Sequence, residues 1–306
     1  ANARVSTEEL IAGACAGTNP RCQGRHVLAI QDSSEINLQR HSGRVDGLGT
    51  VGNGSDLGFF VHPLLAVDAN EGACLGLAHL HLWQRTQGKA PHYKQLPIEE
   101  KESVRWIDTV VAGKKRLTEA ATITAVADRE ADIYELWDRV PDARTHLLIR
   151  ACRDRNLATV SDMTLFDWMD QQAVQGSDRI TLPVTPKRSA HEALLHVRFG
   201  TVTLKKPGNC SDKQASPHLT LNMIDVVEDA ATVVGNEAPI HWRLLTTHAV
   251  GSLEEARRCI GWYCQRWHIE QTFRRIKRQG LDVESSQLEH GVRLEKLVVM
   301  AFSAAV

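Results

Sequence analysis

Short apolar runs that close on acidic or turn residues dominate the first half of the chain. His26–Asp32 (HVLAIQD) is one such run, the pattern of a strand covered on both faces and ending in an acid. A Gly-rich loop over 41–58 separates it from two further strand-like runs, Phe59–Val67 and Cys74–Trp83. Between Ile98 and Leu117, the residues Val104, Ile107, Val110 and Val111 recur at helical spacing. The β-branched run Ala121–Ala127, ending at Asp128, predicts another buried strand. A helix from Ala131 to about Val140 and a strand over Thr145–Arg150 follow. Strands alternating with helices predict an α/β fold.

The pattern changes near Asp154. Up to Ala249, alternating runs (Arg179–Val184, Ala193–Leu204, Leu219–Val227) are joined by Pro, Gly and Ser turns, which reads as a β-rich insertion. Ser252 and Glu255 form a capping-box pattern at the head of one long helix predicted to run to about Gln279. A final helix is predicted from about Val292 to the end. The expected organisation is a catalytic core begun by 1–153, interrupted by an insertion over 154–249, and completed by 250–306.

Composition narrows the function classes. The 306 residues are 42% hydrophobic and 24% charged, enough to build a core and unlike a disordered tail. The net charge of −1 excludes a uniformly basic nucleic-acid coat but permits a local basic stripe. Seven scattered Cys with no C-x-x-C pair argue against a disulfide framework or a cysteine-rich zinc site, and fit a reducing cytoplasm. The N-terminus lacks the pattern of a signal peptide, and Leu297–Val306 is too short to cross a bilayer, so no membrane role is expected. The chain starts with Ala1 and is still apolar at Val306, which reads as a cut from a longer protein.

Two constellations could carry chemistry. Asp32 and Asp128 each sit where a buried strand gives out, the place where α/β sheets put working carboxylates. Singly, each also suits a turn or a helix cap. Tyr263, Arg266, Glu270 and Lys277 lie 3, 7 and 14 residues apart, counted from Tyr263. On a continuous helix they fall at roughly 0°, −60°, −20° and −40°, one stripe suited to a phosphate beside a metal. The competing reading is a solvated ion-pair ladder with Arg266 and Glu270 as an ordinary i,i+4 pair. Between Gly251 and Gly280, seven basic residues face three acidic ones, an electrostatic footprint for a nucleic-acid backbone. Three carboxylates can hold two divalent cations about 3.5–4 Å apart for in-line attack at a phosphodiester. Other signals are weaker. Gly47–Gly52 matches G-x-G-x-x-G but runs into Asn53 and Gly54 rather than a helix, and His79 and His81 share a strand face without a third ligand in register.

Asp128-Arg129-Glu130-Ala131-Asp132 reads DREAD after a strand, and Tyr263-x2-Arg266-x3-Glu270-x6-Lys277 reads Y-R-E-K, about 140 residues further on. With Gln31-Asp32, His62-Pro63-Leu64-Leu65-Ala66-Val67 and Lys101-Glu102-Ser103 with Trp106, these motifs resemble bacterial cut-and-paste DDE transposases of the insertion sequence 4 family. The resemblance implies a ribonuclease-H-like mixed sheet flanked by helices, with a β-rich insertion domain. It implies Asp32, Asp128 and Glu270 as ligands of a two-metal Mg²⁺ site in which Mn²⁺ substitutes. Tyr263, Arg266 and Lys277 would then contact DNA phosphates, with Arg150 near the active-site DNA. Trp242, 21 residues before Tyr263, would stack on a flipped base; its competing reading is strand core. The implied partners are double-stranded transposon ends and target DNA, a second copy in a synaptic complex, and the bacterial nucleoid in the cytoplasm. Ser33-Ser34 departs from the commoner Thr-Thr, and the family's N-terminal DNA-binding and C-terminal dimerisation regions are expected to lie outside these 306 residues. The alternatives are a ribonuclease-H-like nuclease without strand transfer, or a non-catalytic DNA-binding remnant.

Overall fold

In the computed structural model, residues 5–52, 54–85, 93–182, 184 and 188–306 are described. Ala1 and Asn53, which entered the reading of the N-terminus and of the Gly-rich loop, lie outside them. The fold is mixed α/β and divides into two units. The first comprises Ala1–Val126, Asp142–Thr145 and Gln265–Val306; the second comprises Ala127–Pro141 and His146–Cys264.

The first unit begins with α1 (Thr7–Ala16), whose N-cap Ser6 and Glu9 form a capping box, and the single turn α2 (Thr18–Arg21). Its sheet contains β1 (His26–Gln31), β2 (Ser34–Asn37), β3 (Gly49–Val51), β4 (Asp56–Asp68) and β5 (Cys74–Trp83). Helix α3 (Arg105–Arg116) then leads to β6 (Thr122–Ala127). The long β4 pairs antiparallel with β1, β2, β3 and β5, whereas β6 runs parallel to β1. A crossover helix is what a parallel neighbour requires, and α3 provides it. Every residue of β1 after His26 is buried, which is why its sequence is a continuous apolar run rather than an alternation. Val27, Ala29, Leu64, Ala66, Leu117 and Ile123 form the centre of one hydrophobic cluster. A Cβ on Gly113 would lie 2.1 Å from Leu64 Cδ2, so glycine at that position lets α3 lie flush on β4.

The second unit contains α4 (Tyr134–Arg139), β7 (Thr145–Arg150, after its first residue), α5 (Leu165–Asp170), β8 (Gly176–Leu182), β9 (His191–Lys205), β10 (His218–Glu228) and β11 (His241–Thr246). Its strands are antiparallel in the order β7-β11-β10-β9-β8. Strands β8 to β11 lie between residues 176 and 246, and β11 carries Trp242. Strand β9 alternates buried and half-buried positions, the signature of a sheet covered on one face.

Two predicted helices need correction. The one expected from Ile98 starts as two 3₁₀ turns, Ile98–Glu100 and Glu102–Val104, because Lys101 between them is extended; α-helix begins only at Arg105. The long helix from Ser252 is two helices, α6 (Leu253–Cys264) and α7 (Trp267–Lys277), separated by a turn at Gln265 and Arg266. Helix α6 buries Ala256, Cys259, Ile260 and Tyr263, while α7 buries Ile269, Thr272 and Ile276. On one continuous helix those two sets would lie on roughly opposite sides. The chain instead tightens into i→i+3 hydrogen bonds, from His268 N to Gln265 O (3.0 Å) and from Ile269 N to Arg266 O (3.2 Å). The last helix, α8 (Gly291–Ala305), packs against α1 and α7.

Candidate active site

Asp32 follows directly on β1, where the last buried strand residue, Gln31, gives way to a two-residue link, Asp32 and Ser33, before β2. Its carboxylate is held at both oxygens: Oδ1 accepts the Ser33 backbone N–H at 2.7 Å, and Oδ2 accepts an Arg266 N–H at 3.0 Å. The other terminal nitrogen of Arg266 bonds Glu270 Oε1, four residues along. Glu270 sits in the first turn of α7, where the helix dipole favours a negative charge. One guanidinium thus joins two carboxylates that are far apart in sequence. The side chains of Asp32 and Arg266 are about one-fifth exposed and that of Glu270 about half. The i,i+4 pair foreseen from spacing exists, but its arginine also serves Asp32.

Two carboxylates converging on one cationic group form an all-oxygen donor set, the chemistry preferred by a hard divalent cation such as Mg²⁺. Asp32 and Glu270 therefore fit such an ion. Among the described residues, no group of three or more His, Cys, Asp or Glu gathers into a ready metal cage.

Asp128 follows β6 in the second unit. It caps the 3₁₀ turn Arg129–Ala131, accepting the Glu130 N–H at 2.9 Å, and is partly exposed. The other aspartate of the DREAD motif behaves differently. Asp132 is 1% exposed and pairs with the buried Arg155 at 2.6 Å. It also accepts N–H bonds from Trp137 (3.2 Å), Cys152 (2.8 Å) and Arg153 (2.9 Å). Asp132 therefore ties α4 to the segment leaving β7, a structural role that the motif alone did not separate from chemistry.

The candidate DNA-contacting residues fall into both units. In the first, Lys277 pairs with Glu284 at 3.6 Å near the end of α7, where basic side chains also complement the helix dipole. Beside Arg266, Trp267 is half exposed and stacks on His268, a flat aromatic surface the motif reading passed over. In the second, Tyr263 is 6% exposed and meets the Trp242 ring edge-on, with centroids 5.8 Å apart. Trp242 is half-buried in β11, and Arg150, the last residue of β7, donates to the His241 carbonyl at 2.9 Å. Tyr263 belongs to α6, whereas Glu270 and Lys277 belong to α7 and Arg266 to the turn before it. His79 accepts an Arg116 N–H at 2.6 Å on Nδ1, so that nitrogen already has a cationic partner. None of the helices is long and apolar enough to cross a membrane among the described residues.

Among solved structures, the chain is similar to one described as the cryo-EM structure of the piggyBac transposase synaptic complex with hairpin DNA. The identity is 10% and the TM-score 0.43, with 92% of this chain and 46% of that chain covered. This chain thus spans about half the length of that transposase. The family described as the transposase DDE domain matches residues 58–306, most of the sequence. The chain belongs to the transposase DDE domain family.

Proposed function

We propose that this chain is the catalytic portion of a cut-and-paste transposase of the insertion sequence 4 type, built on a ribonuclease-H-like core. Its reaction would be cleavage of double-stranded DNA at transposon ends, followed by strand transfer into target DNA. The observation that carries this reading is the joining of Asp32 and Glu270 by one guanidinium, within a chain matched to the DDE family. The strand order β5-β4-β1-β6, with two antiparallel pairings and then a parallel one, supports the ribonuclease-H-like core.

In this reading Asp32, Asp128 and Glu270 are the carboxylates that hold two Mg²⁺ or Mn²⁺ ions. When bound, such ions activate the attacking water or 3′-hydroxyl and stabilise the leaving oxygen. The Ser33 N–H fixes Oδ1 of Asp32, and Arg266 holds Oδ2, the oxygen for which a bound cation would compete with the guanidinium. Arg266 offsets the repulsion between the two carboxylates and adds a positive charge that would draw a phosphate to the site. Lys277 and Arg150 add positive charge for the DNA backbone, and the Tyr263–Trp242 contact holds the tryptophan that would stack on a displaced base. A second copy of the full-length protein would complete the paired-end complex.

The test is nicking of supercoiled plasmid in Mg²⁺ or Mn²⁺ by wild type and Asp128→Asn, together with joining of a supplied 3′-hydroxyl DNA end to the plasmid. Metal-dependent nicking and joining, both lost in the variant, are expected. Nicking without joining by the full-length protein would favour a nuclease. Equal activity of the variant would remove Asp128 from the site.

A further inference from the structure

Behind Asp32 lies a continuous chain of hydrogen-bonded polar side chains, half-buried at Arg105 and Ser33 and fully buried at His62 and Gln31. Gln31 Nε2 donates to the Trp106 carbonyl at 3.3 Å, which turns Gln31 Oε1 toward His62 Nε2 at 3.0 Å. An amide oxygen only accepts, so His62 carries its proton on Nε2 and its Nδ1 must accept. The Ser33 hydroxyl lies 2.8 Å from that Nδ1 and itself accepts the Arg105 Nε–H at 2.8 Å. Arg105 is fixed in turn by the Glu102 carbonyl at 2.9 Å and by lying over the rings of Trp83 and Trp106. The His62 ring meets Trp106 edge-on, with centroids 4.5 Å apart. Every bond therefore points one way: Arg105 to Ser33 to His62 to Gln31 to the Trp106 backbone.

The relay ends beside the reacting group. The two residues flanking Asp32 are both members, and the Ser33 backbone N–H is the donor that holds Asp32 Oδ1. We propose that His62, acting through the Ser33 hydroxyl, is a positioning residue that fixes the Asp32 carboxylate at its Oδ1. This rests on the metal-site reading of Asp32 given above. It gives one physical reason for fragments that are scattered in sequence: Gln31-Asp32, His62-Pro63, Glu102 and Trp106. It also explains why Ser33 stands adequately where threonine is commoner, because either residue supplies the hydroxyl.

The experiment has two arms on the full chain. With ¹⁵N-histidine labelling, the ring-nitrogen shifts of His62 should show the Nε2–H tautomer; an Nδ1–H tautomer would overturn the relay. In the second arm, Mn²⁺ affinity is read by electron paramagnetic resonance for His62→Asn and His62→Gln. Asparagine places its oxygen near the Nδ1 position and keeps an acceptor for Ser33, whereas glutamine fills more volume but offers its polar end to Gln31. His62→Asn should stay close to wild type, and His62→Gln and Ser33→Ala should bind Mn²⁺ about tenfold or more weakly, the usual scale for losing a group that orients a ligand. Ser33→Thr should restore binding. Equal affinities for the asparagine and glutamine variants, or better binding by glutamine, would reduce His62 to core packing and overturn the proposal. Failure of wild type to bind Mn²⁺ would instead overturn the metal-site reading of Asp32, and the tautomer would then decide whether the relay exists.

Discussion

Asp32 and Asp128 occupy equivalent places, each the first residue after a buried strand, yet they are held in different ways. Asp32 is gripped by Ser33 on one oxygen and Arg266 on the other. Asp128 bonds the Glu130 N–H of its own short turn. Four residues beyond it, Asp132 is buried against Arg155 and three N–H donors. The lesson is that the end of a strand makes a carboxylate available, while its use depends on the charges brought to it. A carboxylate buried with one arginine and several amides is committed to the fold, and one left partly exposed remains open to a ligand.

The sharpest way to break this contrast is within the DREAD motif. Asp132→Ala leaves the Arg155 guanidinium buried without its carboxylate and should cost about 3–5 kcal/mol in urea unfolding of the second unit. Asp128→Asn should cost under about 0.5 kcal/mol, since asparagine caps a turn as well as aspartate. Equal destabilisation would erase the distinction between the structural and the available aspartate.

A second contrast sets the two units against each other in pH. In the first unit, burial lowers the pKa of His62, His79, His81 and His268, with Arg105 adding to the effect at His62 and Arg116 at His79, which falls to about 4. The unfolded chain then takes up protons first, so this unit loses stability as pH falls through about 6.5 toward 4. In the second unit, Glu228 holds His191 charged above its ordinary range. Burial pushes the Glu228 carboxyl up, but His191 and the Ile240 N–H outweigh this and hold it low. The contribution of His191 is fully present below about 6.5 and fades as pH rises through its raised value, and that of Glu228 is lost only as pH falls through its lowered one. Urea unfolding followed by NMR at pH 7 and pH 5 should show the first unit weakened at pH 5 and the His191–Glu228 contact intact. A parallel loss in both units would contradict the burial argument.

The smallest expected effect concerns Arg266. Removing its charge with Arg266→Gln frees both carboxylates from a part-exposed ion pair, each pair being worth about 0.2–1 kcal/mol. Mn²⁺ affinity in the absence of DNA should rise a few-fold, while DNA binding falls. Weaker Mn²⁺ binding would mean that Arg266 organises the carboxylates more than it competes for them.

Much of this arrangement was legible in the residues. The buried strands β1 and β6 show as apolar runs ending in Asp32 and Asp128, because a strand covered on both faces has no polar alternation to hide it. The i,i+4 contact of Arg266 with Glu270 follows from helical spacing. What could not be read was the break between α6 and α7, since no Gly or Pro marks it. The reach of Arg266 to Asp32 and the relay through His62 were equally hidden, because both join residues that only the tertiary fold brings together. Tyr263 and Asp132 show the converse: a motif position reveals that a residue matters, not whether it is exposed.

The central claim is that Asp32 and Glu270 form part of a divalent-metal site, and Mn²⁺ binding to the full chain tests it most directly. Titration followed by electron paramagnetic resonance should show wild type binding Mn²⁺, with Asp32→Asn and Glu270→Gln each weakening it about tenfold or more at unchanged circular dichroism. Binding that is indifferent to both substitutions would contradict the account and send the search for the metal elsewhere in the chain.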